Sequence, residues 1–562
     1  MKFKFFHYFV NNHSQTIASA AIVLGAASLA SRFLGVIRAR LLVGAFGVGD
    51  ALDAYFAAFQ IPDFAFNLLV SATLSVAFIP VFCEFLNRDK EEAWRLANSI
   101  LNLMIIVMGA LVFFLFLLAP YFVRLVSPGF SGEKYSLTLN LTRILLLSPW
   151  LFAISSVFSS ILNSFRSFVL VALAPLIYNL TIILGIIFLA PVWRIYGVAM
   201  AVIIGAVLHI LIQWLGAKKF GFRWQMIIDL KNRGVRQVAK LILPRIFGVD
   251  VSQISQVIGT VIGSTLAIGS VAIFNLVYNI EFVPVGVFAV SLAVSAFPSF
   301  SHALAKGNKE EFKKDFSYTA RQILFFLIPL AILTFVFRAQ VIRLIIGARN
   351  LSWNETRLAA ASLAIFAASF VFQGLTPLLS RAFFSLKNTL VPFLVTIFSI
   401  IVNISATYLF LNLLGKNDFF VQNIAAWLKL QGLNDIRILA LPLGFFLASF
   451  FNTLALAMIL RKKFGQLEGK KIVFSFFKHF LAALAAGYAG YQGLYLIEPL
   501  VGTTTFLGIL AQLIFATILA LIPFVLICLV LKSKEMVSLL GSIKRKMLKS
   551  VTILDVSETE EL

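Results

Sequence analysis

Apolar runs long enough to cross a lipid bilayer recur from one end of this chain to the other, and nothing constrains its folding more. A spanning helix needs about 20 mostly apolar residues, each rising about 1.5 Å. Runs and breaks place helices near 17–45, 53–85, 96–118, 138–163, 169–191, 196–216, 237–263, 270–299, 318–337, 357–385, 389–414, 438–460, 474–495 and 504–531. That makes fourteen spans. Composition agrees, since 60% of the 562 residues are hydrophobic and 13% charged, where an ordinary soluble domain carries about 25% charged residues. The chain therefore reads as an all-α polytopic membrane protein. The segment "NDFFVQNIAAWLKLQGLNDI", between helices eleven and twelve, is expected to be a loop with an interfacial helical turn.

A formal net charge of +23 raises nucleic acid as a partner, and its distribution argues against that. The two termini and one set of loops hold 29 basic residues, while the opposite loops hold ten. By the positive-inside bias both termini belong in the cytoplasm, with the basic loops facing anionic headgroups. No nucleic-acid motif or focused basic domain is present. The N-terminal "MKFKFFHYFVNNHSQT" reads as a retained cytoplasmic lead-in rather than a signal peptide. Cys83 and Cys528 lie far apart in apolar runs and form no redox or disulfide pattern. The five histidines lack metal-ligand spacing, and neither GxxxxGK[ST] nor GxSxG occurs. No enzyme, cofactor or metal is expected. What remains is a carrier driven by ions, membrane potential or a partner.

The chain repeats itself. "FGVGD", Pro62 and "SVAFIPVF" follow helix one, and "LAIGS", Pro284 and "AVSAFPSF" follow helix seven. Copies that start six helices apart enter the membrane from the same face, which makes a parallel repeat. The expected organisation is an N-terminal lobe at 1–216, a cytoplasmic linker at 217–236 and a C-terminal lobe at 237–461. Two further helices at 473–531 and a cytoplasmic tail at 532–562 complete it.

Ionisable residues at membrane depth are functional candidates by default. Arg32 lies about 15 residues, roughly 22 Å, into its helix, too deep to be only an anchor. Arg38 and Arg40 are near enough to the far end to snorkel. Gly35 between them, and Pro62 and Pro284 in the two copies, are candidate hinges. Asp53 either complements the dipole of helix two or pairs with one of the arginines. Asp63 sits deeper, beside Pro62. In the second copy Asp250, Gln253, Ser255 and Gln256 line helix seven, Arg245 follows Pro244, and Asn279 and Glu281 precede Pro284.

At "ASRFLGVIRARLLVGAFGVGDALDAYFAAFQIPDF…SVAFIPVF" the sequence resembles the MurJ/MviN family of lipid II flippases. That family belongs to a superfamily that also contains MATE drug exporters and polysaccharide-unit flippases. The likeness continues through "SPGF", "SILNSFRSFVLVALAPLIYN", "VDVSQISQVIGTVIGSTLAIGSVAIFNLVY" and "TPLLSRAFFSLKNTLVPF". It implies two six-helix lobes around a cavity opening alternately to either face, with the last two helices forming a lipid groove. It also implies transfer of undecaprenyl-pyrophosphate-linked peptidoglycan precursor, lipid II, from the inner to the outer leaflet of the cytoplasmic membrane. The family's first-helix arginines fall on Arg32 and Arg38, and its helix-two aspartate on Asp53. Guanidinium groups suit a pyrophosphate. Family arginines are replaced here by Phe66, Asn67 and Asn279, a family glutamate by Ser71, and an aspartate by Tyr278. The implied substrate-binding set is Arg32, Arg38, Asp53, Asn67 and Asn279. Membrane lipids and cell-wall synthesis proteins are the further partners implied. A flippase for another undecaprenyl-linked glycan, a multidrug or cation antiporter of the same superfamily, and a membrane scaffold are the rival readings.

Overall fold

The computed structural model describes residues 17–69, 74–246, 251–347, 350–503 and 505–541, and among these it holds helices and no strand. Eleven helical stretches of the described residues are long and apolar enough to cross a bilayer. Where the first, second and seventh spans were expected stand the helices Ile17–Phe46, Asp50–Leu69 and Leu74–Arg88, and Arg233–Ile246 and Val251–Gly263, none of them among those eleven. "DFFVQNIAAWL" is a helix of 11 residues, longer than the single turn expected; Asn417 caps it by accepting from Phe420 N at 3.0 Å.

The chain divides into two compact units, Met1–Leu276 with Ile345–Glu355 and Val277–Leu344 with Thr356–Leu562. The first holds α1 (Ile17–Phe46), α2 (Asp50–Leu69), α3 (Leu74–Arg88), α4 (Lys90–Leu117), α5 (Ala119–Val126), α6 (Gly132–Leu145) and α7 (Leu147–Ser164). It continues with α8 (Phe168–Phe188), α9 (Ala190–Lys219), α10 (Arg233–Ile246), α11 (Val251–Gly263) and the beginning of α12 (Ser270–Pro284). Helix seven was expected to open the second lobe at 237, and the structure packs it with the first unit instead. The reason is the apolar face of α10, whose Val235, Val238 and Ile242 share a core with Phe78, Phe82, Leu96 and Leu101 of α3 and α4. Gly129 in the "SPGF" loop completes the contact from the other end, because a Cβ there would stand 2.1 Å from the Ser264 backbone oxygen. Only glycine allows that approach.

The second unit takes the rest of α12, a π-helical segment Val285–Val290, α13 (Ser291–Ala305), α14 (Lys309–Val336), α15 (Arg338–Ile345) and α16 (Trp353–Ser385). Then come α17 (Leu390–Lys416), α18 (Asp418–Leu428), α19 (Ala440–Phe464), α20 (Gly469–Val501) and α21 (Phe506–Val530). The two further helices expected after the second lobe pack on α14. Ala482, Ala483, Ala520 and Phe524 pack with Leu324, Phe325 and Ile328 of α14 in one core. The expected tail at 532–562 is corrected over its first residues, since 534–541 is helical and Met536 is buried in that same core. Glu535 holds Arg321 at 2.6 Å, with Ser533 and His479 bonded beside it.

The parallel repeat runs further than the two Pro-bearing motifs. Asp89 caps α4 by accepting from Glu91 N at 2.7 Å, and Asn308 caps α14 by accepting from Glu311 N at 3.1 Å. Each cap precedes a pair of glutamates that complements the helix dipole, in "DKEEAW" and "NKEEFK". Each 28-residue helix is followed by an eight-residue one, α5 or α15. Arg166 and Lys387 occupy matching left-handed turns, with φ of 57° and 59°. Both turns close by the same bonds, Ser167 N to Leu162 O and Asn388 N to Phe383 O, at 2.9 and 3.0 Å. These are Schellman closures built without glycine.

Candidate functional site

In the first unit α1, α2 and α8 bring together a set of polar groups. Asn179 of α8 donates to Ser31 Oγ of α1 at 3.0 Å, which sets the rotation of α1 on α8. Arg32, the residue after Ser31, is exposed, and Arg38, about two turns on, is half-buried. Arg38 acts through space on Asp63 and Tyr55 of α2 and on Tyr178 of α8. Tyr55 is buried with its ring edge-on to Phe59, while Asp63 keeps accessible surface. Asn67 is half-buried and donates to the Asp63 backbone oxygen at 2.9 Å, so its side chain caps its own helix. One carboxylate and two phenols thus lie within electrostatic range of the Arg38 guanidinium. Such a set can hold an anionic group in the plane of the fork, with a carboxylate within electrostatic range as a counter-charge.

The aspartate that accompanies Arg38 is therefore Asp63, and the expected pairing of Asp53 with Arg32 or Arg38 is corrected. Asp53 is 1% exposed and accepts from Lys134 Nζ at 2.7 Å. It also accepts from Gly269 N and Ala272 N, each at 2.8 Å, at the start of α12. Lys134 reaches Asp50 as well, at 2.8 Å, over the face of the Phe130 ring. Ten residues on an α-helix rotate the side chain by about 80° short of full turns and advance it by about 15 Å. Asp53 and Asp63 thus belong to different faces of α2. Asp53 thus complements the N-terminus of α12, a role the sequence did not suggest.

Residues named in the polar stretch of helix seven meet a partner that sequence reasoning missed. Asn275 of α12 accepts from Gln256 Nε2 at 3.0 Å and from Gln60 Nε2 at 3.4 Å, and donates to Val271 O at 2.9 Å. A buried asparagine in "SVAIFNLVY" was the available signal. Asp250 and Ser71 lie outside the described residues.

In the second unit the residues before Pro284 split between faces. Asn279 is exposed, whereas Glu281 is fully buried and accepts from Gln373 Nε2 at 3.0 Å. The other carboxylate oxygen of Glu281 has no hydrogen-bond partner. Tyr278 is buried edge-on between Phe366 and Phe445. Of the three candidate hinges, Pro284 shows a departure from α geometry, for a π-helical segment begins at the next residue. Pro62 lies inside α2, and Gly35 lies inside an unbroken α1 with nothing within 4 Å of where a Cβ would point. Among the described residues no group of His, Cys, Asp and Glu is placed to hold a metal ion.

A many-span helical membrane protein, without strands among the described residues and with a cation, a carboxylate and phenols near one another on its helices, defines a membrane transporter rather than an enzyme. The family model described as "Lipid II flippase MurJ" matches residues 42–512. The chain belongs to that family. It is 27% identical over 405 residues to the lipid II flippase MurJ of Burkholderia cenocepacia, covering 70% of this chain and 78% of that one. It is 30% identical over 388 residues to the probable lipid II flippase MurJ of Buchnera aphidicola subsp. Acyrthosiphon pisum, covering 67% and 75%. Among solved structures, an inward closed lipid II flippase MurJ superposes with a TM-score of 0.70 at 24% identity, over 91% of this chain and 99% of that one. An inward-facing multidrug resistance MATE transporter superposes at 0.58 and 17% identity, over 80% and 99%. These two likenesses establish the fold.

Proposed function

We propose that this protein flips lipid II, an undecaprenyl-pyrophosphate-linked peptidoglycan precursor, from the inner to the outer leaflet of the cytoplasmic membrane for cell-wall synthesis. The observation that carries the reading is the family match along residues 42–512. Arg38 beside Asp63, Tyr55 and Tyr178 supports it, since a guanidinium fork recognises pyrophosphate and its carboxylate neighbour offers a counter-charge between cycles. Arg32, Asn67 and Asn279 are the further contacts assigned to substrate, and Asp53 is reassigned to positioning α2 on α12. Alternating access bends at Pro284 and its π-helical segment, with Gly35 and Pro62 yielding in the first unit. Movement is driven by membrane potential or ions, and cell-wall synthesis proteins consume the product. Both termini face the cytoplasm, on the side with 29 basic loop and terminal residues rather than ten.

Depletion in cells followed by assay of lipid II on the outer leaflet tests the reading. Loss of exposed lipid II with continued synthesis inside is the expected result, and undiminished exposure under complete depletion refutes it. Cysteine substituted at Lys218 or Lys470 should react only with reagents that enter the cell.

A further inference from the structure

Between α9 and α10 the chain runs without regular secondary structure over 222–229 and is strapped along the first turns of α4. Asn98 donates to Arg223 O at 3.0 Å and accepts from Gln225 N at 2.8 Å. Asn102 donates to Gln225 O and Ile227 O at 2.8 and 2.9 Å, and Ser99 accepts from Asp229 N at 3.2 Å. All three polar residues are buried, so the strap is a fixed part of the first unit. Trp224, Met226, Ile228 and Leu230 stand exposed along it, at 58%, 86%, 45% and 59%. Trp224 donates its indole N–H to Asn102 Oδ1 at 3.1 Å while most of its ring stands free. An apolar ring with a satisfied polar tip is the arrangement tryptophan adopts at a membrane–water boundary.

The charge around this row has one sign. Lys218 and Lys219 precede it, Arg223 lies within it, and Lys231, Arg233 and Arg236 follow, all with exposed side chains. The single acid of the strap, Asp229, spends a carboxylate oxygen on Lys231 N and Asn232 N, both at 3.0 Å. Asn98 and Asn102 lie about two and three turns into a spanning helix, roughly 12–18 Å along its axis, which puts the apolar row at the level of headgroups and upper acyl chains.

We propose that the 222–230 strap is a binding site for acidic phospholipid, with Trp224, Met226, Ile228 and Leu230 set into the headgroup–acyl boundary. The flanking Lys and Arg side chains hold the phosphodiester headgroups. Apolar insertion and basic attraction reinforce one another at an anionic surface.

The test places cysteine at Met226 in the full chain, with Cys83 and Cys528 replaced by Ala, and labels it with an environment-sensitive fluorophore. Reconstitution is into nanodiscs of phosphatidylcholine alone or mixed with phosphatidylglycerol, with a label at Lys306→Cys as the water-exposed reference. The Met226→Cys label should emit to the blue of the reference. It should be quenched several-fold more by lipids carrying nitroxides at shallow acyl positions, and the shift should grow with phosphatidylglycerol. Lys218, Arg223, Lys231 and Arg233 changed together to Gln should remove that dependence and at least halve the phosphatidylglycerol retained in native mass spectrometry. These are surface side chains, and an unchanged melting profile separates loss of lipid from loss of fold. A label as wet as the reference overturns the proposal. So does shielding that ignores both lipid charge and the Gln changes, or a response to inorganic pyrophosphate in place of the acidic lipid.

Discussion

Replacing Asp53 by Ala removes the acceptor on which three donors converge: Lys134 Nζ at 2.7 Å and the backbone N–H groups of Gly269 and Ala272 at 2.8 Å. Removing one partner of a buried ion pair costs about 3–5 kcal/mol, because the other is left charged and unpaired. Lys134 keeps Asp50 at 2.8 Å, and Asp50 is half-exposed, so part of that cost is recovered. The two backbone donors belong to the first turn of α12, where nothing inside the helix can accept from them. The expected loss is therefore about 3 kcal/mol for Asp53→Ala. Asp53→Asn keeps an acceptor oxygen and should lose about 2 kcal/mol. Lys134→Gln should lose less than Asp53→Ala, since the carboxylate still accepts from both backbone groups. Equilibrium unfolding of the purified protein in detergent, read by tryptophan fluorescence, measures the three variants, and the double variant gives the coupling. Asp53→Ala within about 0.5 kcal/mol of the parent, or no coupling to Lys134, refutes the positioning role and returns Asp53 to the substrate.

Arg38→Ala should weaken substrate binding about ten- to hundred-fold through loss of charge-assisted hydrogen bonds, with Lys a partial rescue, as read by flipping in proteoliposomes; normal transport by a well-folded variant refutes the assignment. Asp63→Asn should tighten binding and slow release, because it removes the charge that competes with substrate for Arg38, and equilibrium binding against turnover separates the two effects. Gly129→Ala should destabilise by about 1–3 kcal/mol or more, since its Cβ would meet Ser264 backbone at 2.1 Å; unfolding in detergent checks it. Glu535→Ala should free the helical stretch 534–541 to protease at unchanged spans, because Glu535 is buried and holds Arg321 at 2.6 Å.

The sequence by itself determined the class, the approximate limits of most helices, and the repeated motifs. These follow from properties that act locally, since twenty apolar residues must hydrogen-bond within their own helix once in lipid. Turn glycines and prolines then mark where a span ends or bends. The motif around Arg32, Arg38 and Asp53 also identified the family. Which carboxylate serves which cation was decided only by tertiary structure. Asp53 and Asp63 look alike along the chain, and the rotation of α2 against α6 and α12 gives one to Lys134 and sets the other near Arg38. The allegiance of helix seven was likewise invisible, because its apolar face fits either neighbour until Phe78, Phe82 and Leu96 present a complementary surface. Asn98, Asn102 and Ser99 read as ordinary polar positions at a helix entrance. Their burial and their hold on residues 223–229 arise from chain segments more than a hundred residues apart, which no local pattern encodes.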